Sequence, residues 1–378
     1  MINLHLYPSN FKSETRIEKQ AMSIDKLNIF SEIILLGLCN NGPTKNEWFV
    51  GDRIKIKLLG NQSKLKGIFG KLLTFFSYYR EILKFGMKND IGCINAHSLS
   101  VLPVSWLLRL ICRAKLIYDT HELETETNSI GSRKFISKLV ERTFIYKADH
   151  IFVVGDKIAE WYASAYGIKK PTVIFNTPFS SSITKTNYFR EKLVFDNDQR
   201  VCLYLGSLSG GRGIEFLCNA FSSFKDDDFV IVFMGDGNLK NYVLEFTKIS
   251  DNIFYHEPVP AHDVVKVSAS ADMGLSLVED TCLSHFYSMP NKVFEYLFAG
   301  LPVVVSNMAE TALLVQKYDV GEVLADPTPQ TLRASLLAVD AARNYNHRMK
   351  SLIRGMCWQR QEEKMLSVYE NLFQDSNI

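Results

Sequence analysis

Arg212 sits inside a glycine-rich run, Gly206-Ser207-Leu208-Ser209-Gly210-Gly211-Arg212-Gly213. Glycines between a strand and a helix let backbone N–H groups approach a diphosphate. A guanidinium in the same turn binds phosphate oxygens in pairs. A second pair of charges, Lys292 and Glu295, follows Pro290 near the start of an expected helix. A helix N-terminus attracts anions, so a lysine there suits phosphate. The alternative is a solvated lysine and a solvated glutamate on an ordinary crossover helix. His97 and His121 each stand at the end of an expected strand. Ligands of parallel α/β sheets lie beyond such ends, although a lone histidine there can also be structural.

The elements that must position these groups are legible around them. Val201-Cys202-Leu203-Tyr204-Leu205 reads as a buried strand, and a helix begins near Ile214. Pro290 suits a first helical turn. Val293, Tyr296, Leu297 and Gly300 then keep helical spacing, Gly300 permits a left-handed helix end, and Val303-Val304-Val305 reads as a buried strand. Upstream, strands are expected over 3–7, 33–36, 53–59, 92–96 and 116–122. Helices are expected over 12–24, capped by Asn10 or Ser13, and over 64–88, 102–112 and 135–147. Residues 180–200 are polar and read as a linker. The acidic triplets Asp196-Asn197-Asp198 and Asp226-Asp227-Asp228 precede strands and read as solvated loops. Gly235-Asp236-Gly237 closes a strand over 229–233, and another strand is expected at 252–255. Thr328 can cap a helix opening at Pro329. Trp358, Met365, Leu366, Tyr369, Leu372 and Phe373 share one face of a last helix. The alternation of strands and helices points to an α/β protein.

The helix over 64–88 is unusual. Aromatic and aliphatic residues interleave with Lys64, Lys66, Lys71, Arg80, Lys84 and Lys88. Such a helix can lie on an anionic membrane, or it can be an interior helix whose lysines reach out to water.

With 378 residues the chain is long enough for two domains. Its net charge of +2 gives no reason to expect nucleic acid. Seven scattered cysteines without close pairs suggest reduced thiols, with neither a disulfide framework nor a zinc site. The first residues lack the pattern of a signal peptide. No apolar run approaches the roughly 20 residues of a membrane span.

The stretch PNKVFEYLFAGLPVV, residues 290–304 within Ser288–Ser306, resembles the donor-site signature of the family 4 retaining glycosyltransferases of the GT-B fold. ADHIFVVGDKIAEWYASAYGI, PTVIFNTP and the Gly235-Asp236-Gly237 turn are similar to other stretches of that family. The resemblance implies two Rossmann-like domains facing a central cleft: residues 1–180 for the acceptor and 199–354 for the donor. Residues 355–378 would form a helix crossing back. It implies a nucleoside-diphosphate sugar as donor, with neither cofactor nor metal. Glu295 would bind the ribose. Gly206, Ser207, Gly211, Gly213, Gly235, Asp236, Gly237, Pro290 and Asn291 would surround the donor. Arg212, Lys292 and His121 would hold catalytic positions, and Asn10 and His97 would lie on the acceptor side. A hexose or deoxyhexose would pass, with retention, to a lipid-linked saccharide of a surface polysaccharide such as O-antigen, capsule or exopolysaccharide. The place would be the inner face of the cell membrane. Two positions depart from the family: Tyr287 replaces a glutamate and Ser207 an arginine. They leave room for a nucleotide-sugar 2-epimerase of the same fold and for a catalytically silent binding protein.

Overall fold

The computed structural model describes residues 1–11, 14–38, 47–59, 67–180, 184–196, 198–224, 228–342 and 345–374. They form two compact units. The first comprises Met1–Ile174 with Glu362–Ile378, and the second Phe175–Gln361.

The first unit is built on a sheet of β1 (Ile2–Leu6), β2 (Glu32–Leu38), β3 (Glu47–Phe49), β4 (Ile54–Leu59), β5 (Ile91–Ala96), β6 (Lys115–Asp119), β7 (His150–Val153) and β8 (Thr172–Val173). Their spatial order is β3-β4-β2-β1-β5-β6-β7-β8. All neighbours are parallel except β3 with β4. Sequence reasoning passed over β3, a three-residue edge strand with no periodicity to show it. All five residues of β1 are buried, as helices on both faces of a parallel sheet require. Four helices matter below: α1 (Thr15–Asp25), α2 (Gly67–Lys88), α3 (Leu102–Cys112) and α4 (Ser132–Phe144). The expected cap of α1 is corrected. Its N-cap is Glu14, with no side-chain cap bond, so Asn10 does not cap it; Ser13 lies outside the described residues. Residues 64–66 of the expected basic helix, with Lys64 and Lys66, also lie outside them.

The second unit carries β9 (Arg200–Leu205), β10 (Phe229–Met234), β11 (Ile253–His256), β12 (Met273–Ser276), β13 (Val303–Ser306) and β14 (Gly321–Leu324). All are parallel, in the order β11-β10-β9-β12-β13-β14. Residues 180–200 are more than a linker. They include a short helix, Tyr188–Lys192, with Phe189 fully buried and Arg190 paired with Asp272 at 3.2 Å. Asp196 and Asp198 are exposed, as a solvated loop requires; Asn197, Asp226 and Asp227 lie outside the described residues. Thr328 and Thr331 form a capping box with Pro329 at the helix start. Pro290 is the N-cap of the Asn291–Phe298 helix and not its first helical residue. Gly300 takes a φ of 81° just past that helix.

The last helix, Trp358–Phe373, belongs to both units. At its start the Trp358 N–H donates to the Pro178 carbonyl (2.9 Å), and Gln361 Oε1 accepts from the Phe175 N–H (3.2 Å). At its far end Tyr369 donates to Asn95 Oδ1 at 2.6 Å, and Phe30 meets Tyr369 and Phe373 edge-on.

Tyr296 ties β9 to β12. Its hydroxyl accepts from the Leu205 N–H (2.7 Å) and donates to the Leu275 carbonyl (3.2 Å). The ring lies where a Cβ on Gly274 would stand. Both bonds prevent it from moving aside. Gly274→Ala should therefore cost about 1–3 kcal/mol by overpacking, read as a lowered Tm.

Candidate functional site

Each sheet reverses its strand order at one place, between β1 and β5 in the first unit and between β9 and β12 in the second. Crevices open beyond the carboxyl ends of strands at such points. The candidate residues gather at both.

In the second unit the loop after β9 is shaped by backbone. Gly206, Gly211 and Gly213 have φ of 106°, 77° and 75°, which side chains resist. The Gly213 Cα presses against the Leu277 carbonyl, and Gly235 against the Gly206 carbonyl, leaving no room for a Cβ at either. The Leu208 N–H donates to the Asp236 carbonyl, and the Glu279 N–H to the Gly211 carbonyl. Asp236 Oδ1 accepts from the Gly237 N–H at 2.9 Å, so this carboxylate shapes its own turn. Ser207 is exposed, its hydroxyl bonded to that of Ser209.

Lys292 is only 8 % exposed, which overturns the solvated reading of this lysine. Its Nζ lies 3.6 Å from the centre of the Tyr204 ring, a cation–π contact. Its Cε is 3.8 Å from where a Cβ of Gly206 would stand. Burial, and then the nearby Arg212 charge, push its pKa well below the usual lysine range, with Glu295 opposing. Arg212 is half-buried in the loop, and Glu295 is half-buried one turn from Lys292. Asn291 is exposed at the helix start and Pro290 precedes it. The structure thus brings together the glycine loop, the 235–237 turn, Arg212, Lys292 and Glu295. Two cations share one crevice floored by Tyr204. An anion placed beside such a lysine favours its charged form. Tyr204 was read only as part of an apolar run, and nothing in its spacing signals that it underlies a lysine.

In the first unit the centre is a residue that sequence reasoning did not select. Asp119, at the end of β6, is 1 % exposed. Arg16 of α1 bonds both its oxygens, Nη2 to Oδ1 at 2.6 Å and Nε to Oδ2 at 3.1 Å. The third guanidinium nitrogen donates to the Ile174 carbonyl (2.6 Å), and Gln20 donates to Oδ2 (2.9 Å). Burial alone would raise the Asp119 pKa. The Arg16 charge and the histidine bonds outweigh it and hold the carboxyl well below its usual range. His97 is fully buried and 3.0 Å from Asp119 Oδ2 through Nδ1. Burial lowers its pKa to about 4 against the pull of Asp119, so it is neutral near pH 7 and donates its one proton to Asp119. Its Nε2 must then accept, and His5 Nδ1, at 2.8 Å, donates. Asn95 Nδ2 lies 3.5 Å from His5 Nε2, and Tyr369 donates to Asn95. Every donor in this row points towards the carboxylate.

His97 is therefore enclosed and does not face open space as an acceptor contact would. His121 is 21 % exposed, with Nε2 3.4 Å from Asp119 Oδ2, and its ring centre stands 5.5 Å from those of Tyr7 and of His97. It is the outward member of the group. Asn10 is half-buried in the turn after β1. His97, Asp119 and His121 bring one ligand atom each within 4.8 Å of one another, a cluster that the spacing of the sequence did not reveal. It does not suit a metal ion. Arg16 holds both carboxylate oxygens, and a guanidinium there repels a second cation.

Residues 199–339 match a family model described as glycosyl transferases group 1. No curated protein matches the chain. Among solved structures, sucrose-phosphate synthase from Thermosynechococcus elongatus aligns with a TM-score of 0.79 at 14% identity, covering 99% of this chain and 100% of that one. HepE of Anabaena in complex with UDP-glucose aligns at 0.72 and 13% identity, over 98% and 100%. WaaG, a glycosyltransferase involved in lipopolysaccharide biosynthesis, aligns at 0.66 and 13%, over 97% and 99%. The fold is GT-B. Both sheets of this GT-B chain and its returning last helix are accounted for by that architecture.

Arg16→Ala should destabilise the first unit by about 3–5 kcal/mol, because Asp119 is left as an unpaired buried charge. In the parent, the depressed Asp119 pKa contributes stability that is complete above about pH 4, the unfolded value. It is lost as pH falls towards the lower native value. Denaturant melts from pH 7 down to pH 2 should show this acid loss in the parent and little of it in Arg16→Ala.

Proposed function

We propose that the protein is a glycosyltransferase that moves a sugar from a nucleoside-diphosphate sugar to a hydroxyl group. The second unit holds the donor and the first the acceptor. The observation that carries this reading is the paired cation site: Arg212 and buried Lys292 beside a glycine loop and a helix start. A diphosphate supplies the charge this crevice lacks. Glu295, one turn along, is placed to accept from ribose hydroxyls. The match of residues 199–339 and the UDP-glucose complex of the Anabaena structure support a nucleotide sugar.

The chemistry fits retention, as in the family the chain resembles. The bond from the anomeric carbon to the phosphate oxygen breaks, and the bond to the acceptor oxygen forms on the same face. The leaving phosphate takes the acceptor's proton. Arg212, Lys292 and backbone N–H groups hold the departing charge, and His121 lies on the sugar side. No step asks for a metal. The acceptor is a lipid-linked saccharide of a surface polysaccharide, consistent with the likeness to WaaG. Among the described residues no helix is long and apolar enough to cross a membrane. Contact with the inner membrane face would be peripheral, through α2. There Phe69 and Phe76 are 73% and 70% exposed while Tyr78 and Ile82 are buried, so α2 is an interior helix along one face only.

A thermal-shift screen of UDP, GDP and ADP should show stabilisation by one of them. Glu295→Ala should keep the fold and lose affinity by roughly 1.5–3 kcal/mol per charge-assisted bond. No shift with any nucleotide would end the donor assignment.

Arg212→Ala should lower turnover by about 10²–10³ in a protein that still folds. Steady-state kinetics with the preferred donor checks it, and near-normal kcat would move the main phosphate contact to Lys292.

A further inference from the structure

A large apolar concavity lies wholly within the first unit, between α2 and α4, and has a volume of about 1110 Å³. One wall is Phe69, Leu72, Leu73 and Phe76 of α2; the facing wall includes Ile136 of α4. These side chains are half or more exposed, and Phe135 and Leu139 extend the apolar face of α4. An apolar surface of this extent on two converging helices exceeds the scattered exposure usual on a soluble chain. Polar side chains also line the groove: Glu122, Glu124, Ser100 and Arg133, and Glu122 follows His121 directly in the chain.

We propose that this groove binds, one molecule at a time, an amphiphile with a hydrocarbon chain and a hydroxyl-bearing, anionic head. The chain lies along Phe69, Leu72, Leu73, Phe76 and Ile136. The head lies among Arg133, Glu122 and Glu124, next to the strand terminus that carries His121. This rests on the lipid-linked acceptor proposed above and names where such an acceptor is held.

The apolar and the polar side chains that line the groove ask for different chemistry, and that selects the occupant. Glu122 and Glu124 are carboxyls for sugar hydroxyls, and Arg133 is a cation for a phosphate. Burial, and then the Glu122 charge, raise the Glu124 pKa to about 8. At neutral pH it is largely a neutral acid that both donates and accepts, as a hydroxyl group requires. The surrounding structure fixes this polar lining. The Thr120 hydroxyl bonds the Glu122 carbonyl, and the Tyr79 hydroxyl bonds the Ser100 carbonyl. A flat bilayer meets the rim of a concavity but brings no hydroxyl-rich head to its floor. A second copy of this chain would have to insert an apolar ridge and a polar partner together.

The test uses farnesyl monophosphate, below the concentration at which it aggregates, titrated into the full chain by calorimetry. Leu73→Asp and Ile136→Asp replace side chains that are 50% and 57% exposed, so the fold should survive; Tm confirms it. The parent should bind one molecule. Each variant should bind at least tenfold more weakly, while stabilisation by the preferred nucleotide stays unchanged. No binding by the parent, or equal binding by parent and variants, overturns the proposal. So does binding by the parent only to phosphatidylglycerol vesicles, which would make the face a bilayer contact. A parent dimer in sedimentation that both variants dissolve would assign the groove to a second copy. If no nucleotide binds, the glycosyltransferase reading fails, and the farnesyl phosphate titration still decides the groove.

Discussion

The ion pair between Arg16 and Asp119 is the constraint on which the first unit depends. A carboxylate taken out of water needs an opposite charge and its hydrogen bonds, or it stays protonated. Arg16 supplies both, with three bonds that also reach the Ile174 carbonyl at the end of the first unit's sheet. One interaction therefore fixes α1, the end of β6 and the last strand's exit together. A fixed anion then orders its neighbours. His97 is neutral and must donate to it, so His5 must donate to His97. Tyr369 closes the row through Asn95, which ties the last helix to the same network. His121 inherits a stable position because every group behind it has only one satisfactory orientation.

The second unit meets its constraint differently. Around its glycine loop the shape comes from backbone. Positive-φ glycines and close carbonyl approaches set the loop after β9, and Tyr296 pins β9 to β12 from below. Into this frame the fold places a lysine over an aromatic ring beside an arginine. Burial and the neighbouring arginine both disfavour the lysine's charged form.

The α2–α4 face adds a third kind of constraint. α2 is buried where Tyr78 and Ile82 face the sheet and exposed where Phe69 and Phe76 face outward. A helix with both faces apolar has to satisfy two surroundings, and the sheet accounts for only one.

Sequence alone determined most of the elements, because they are written locally. Apolar runs of five residues followed by glycine-containing turns became β9 and β10. The capping box at Thr328 and the start of the helix at Ile214 stand where their short-range signals put them. Gly206 and Arg212 lie in one strand–loop–helix pattern that sequence spacing records, whereas Lys292 opens another helix and joins them only in the fold. What the tertiary structure decided lies across long separations. Asp119 is 103 residues from Arg16, His5 is 92 from His97, and Asn95 is 274 from Tyr369. No spacing rule spans such distances, so the carboxylate at the centre of the first unit was not selected and His97 was placed facing open space. The burial of Lys292 was likewise undecidable from a pattern that a solvated lysine satisfies equally well. Only the packing of its helix against β9 settles which side of the chain is dry. Burial and long-range charge pairing are properties of the folded chain, whereas turns, caps and periodicity are properties of neighbouring residues.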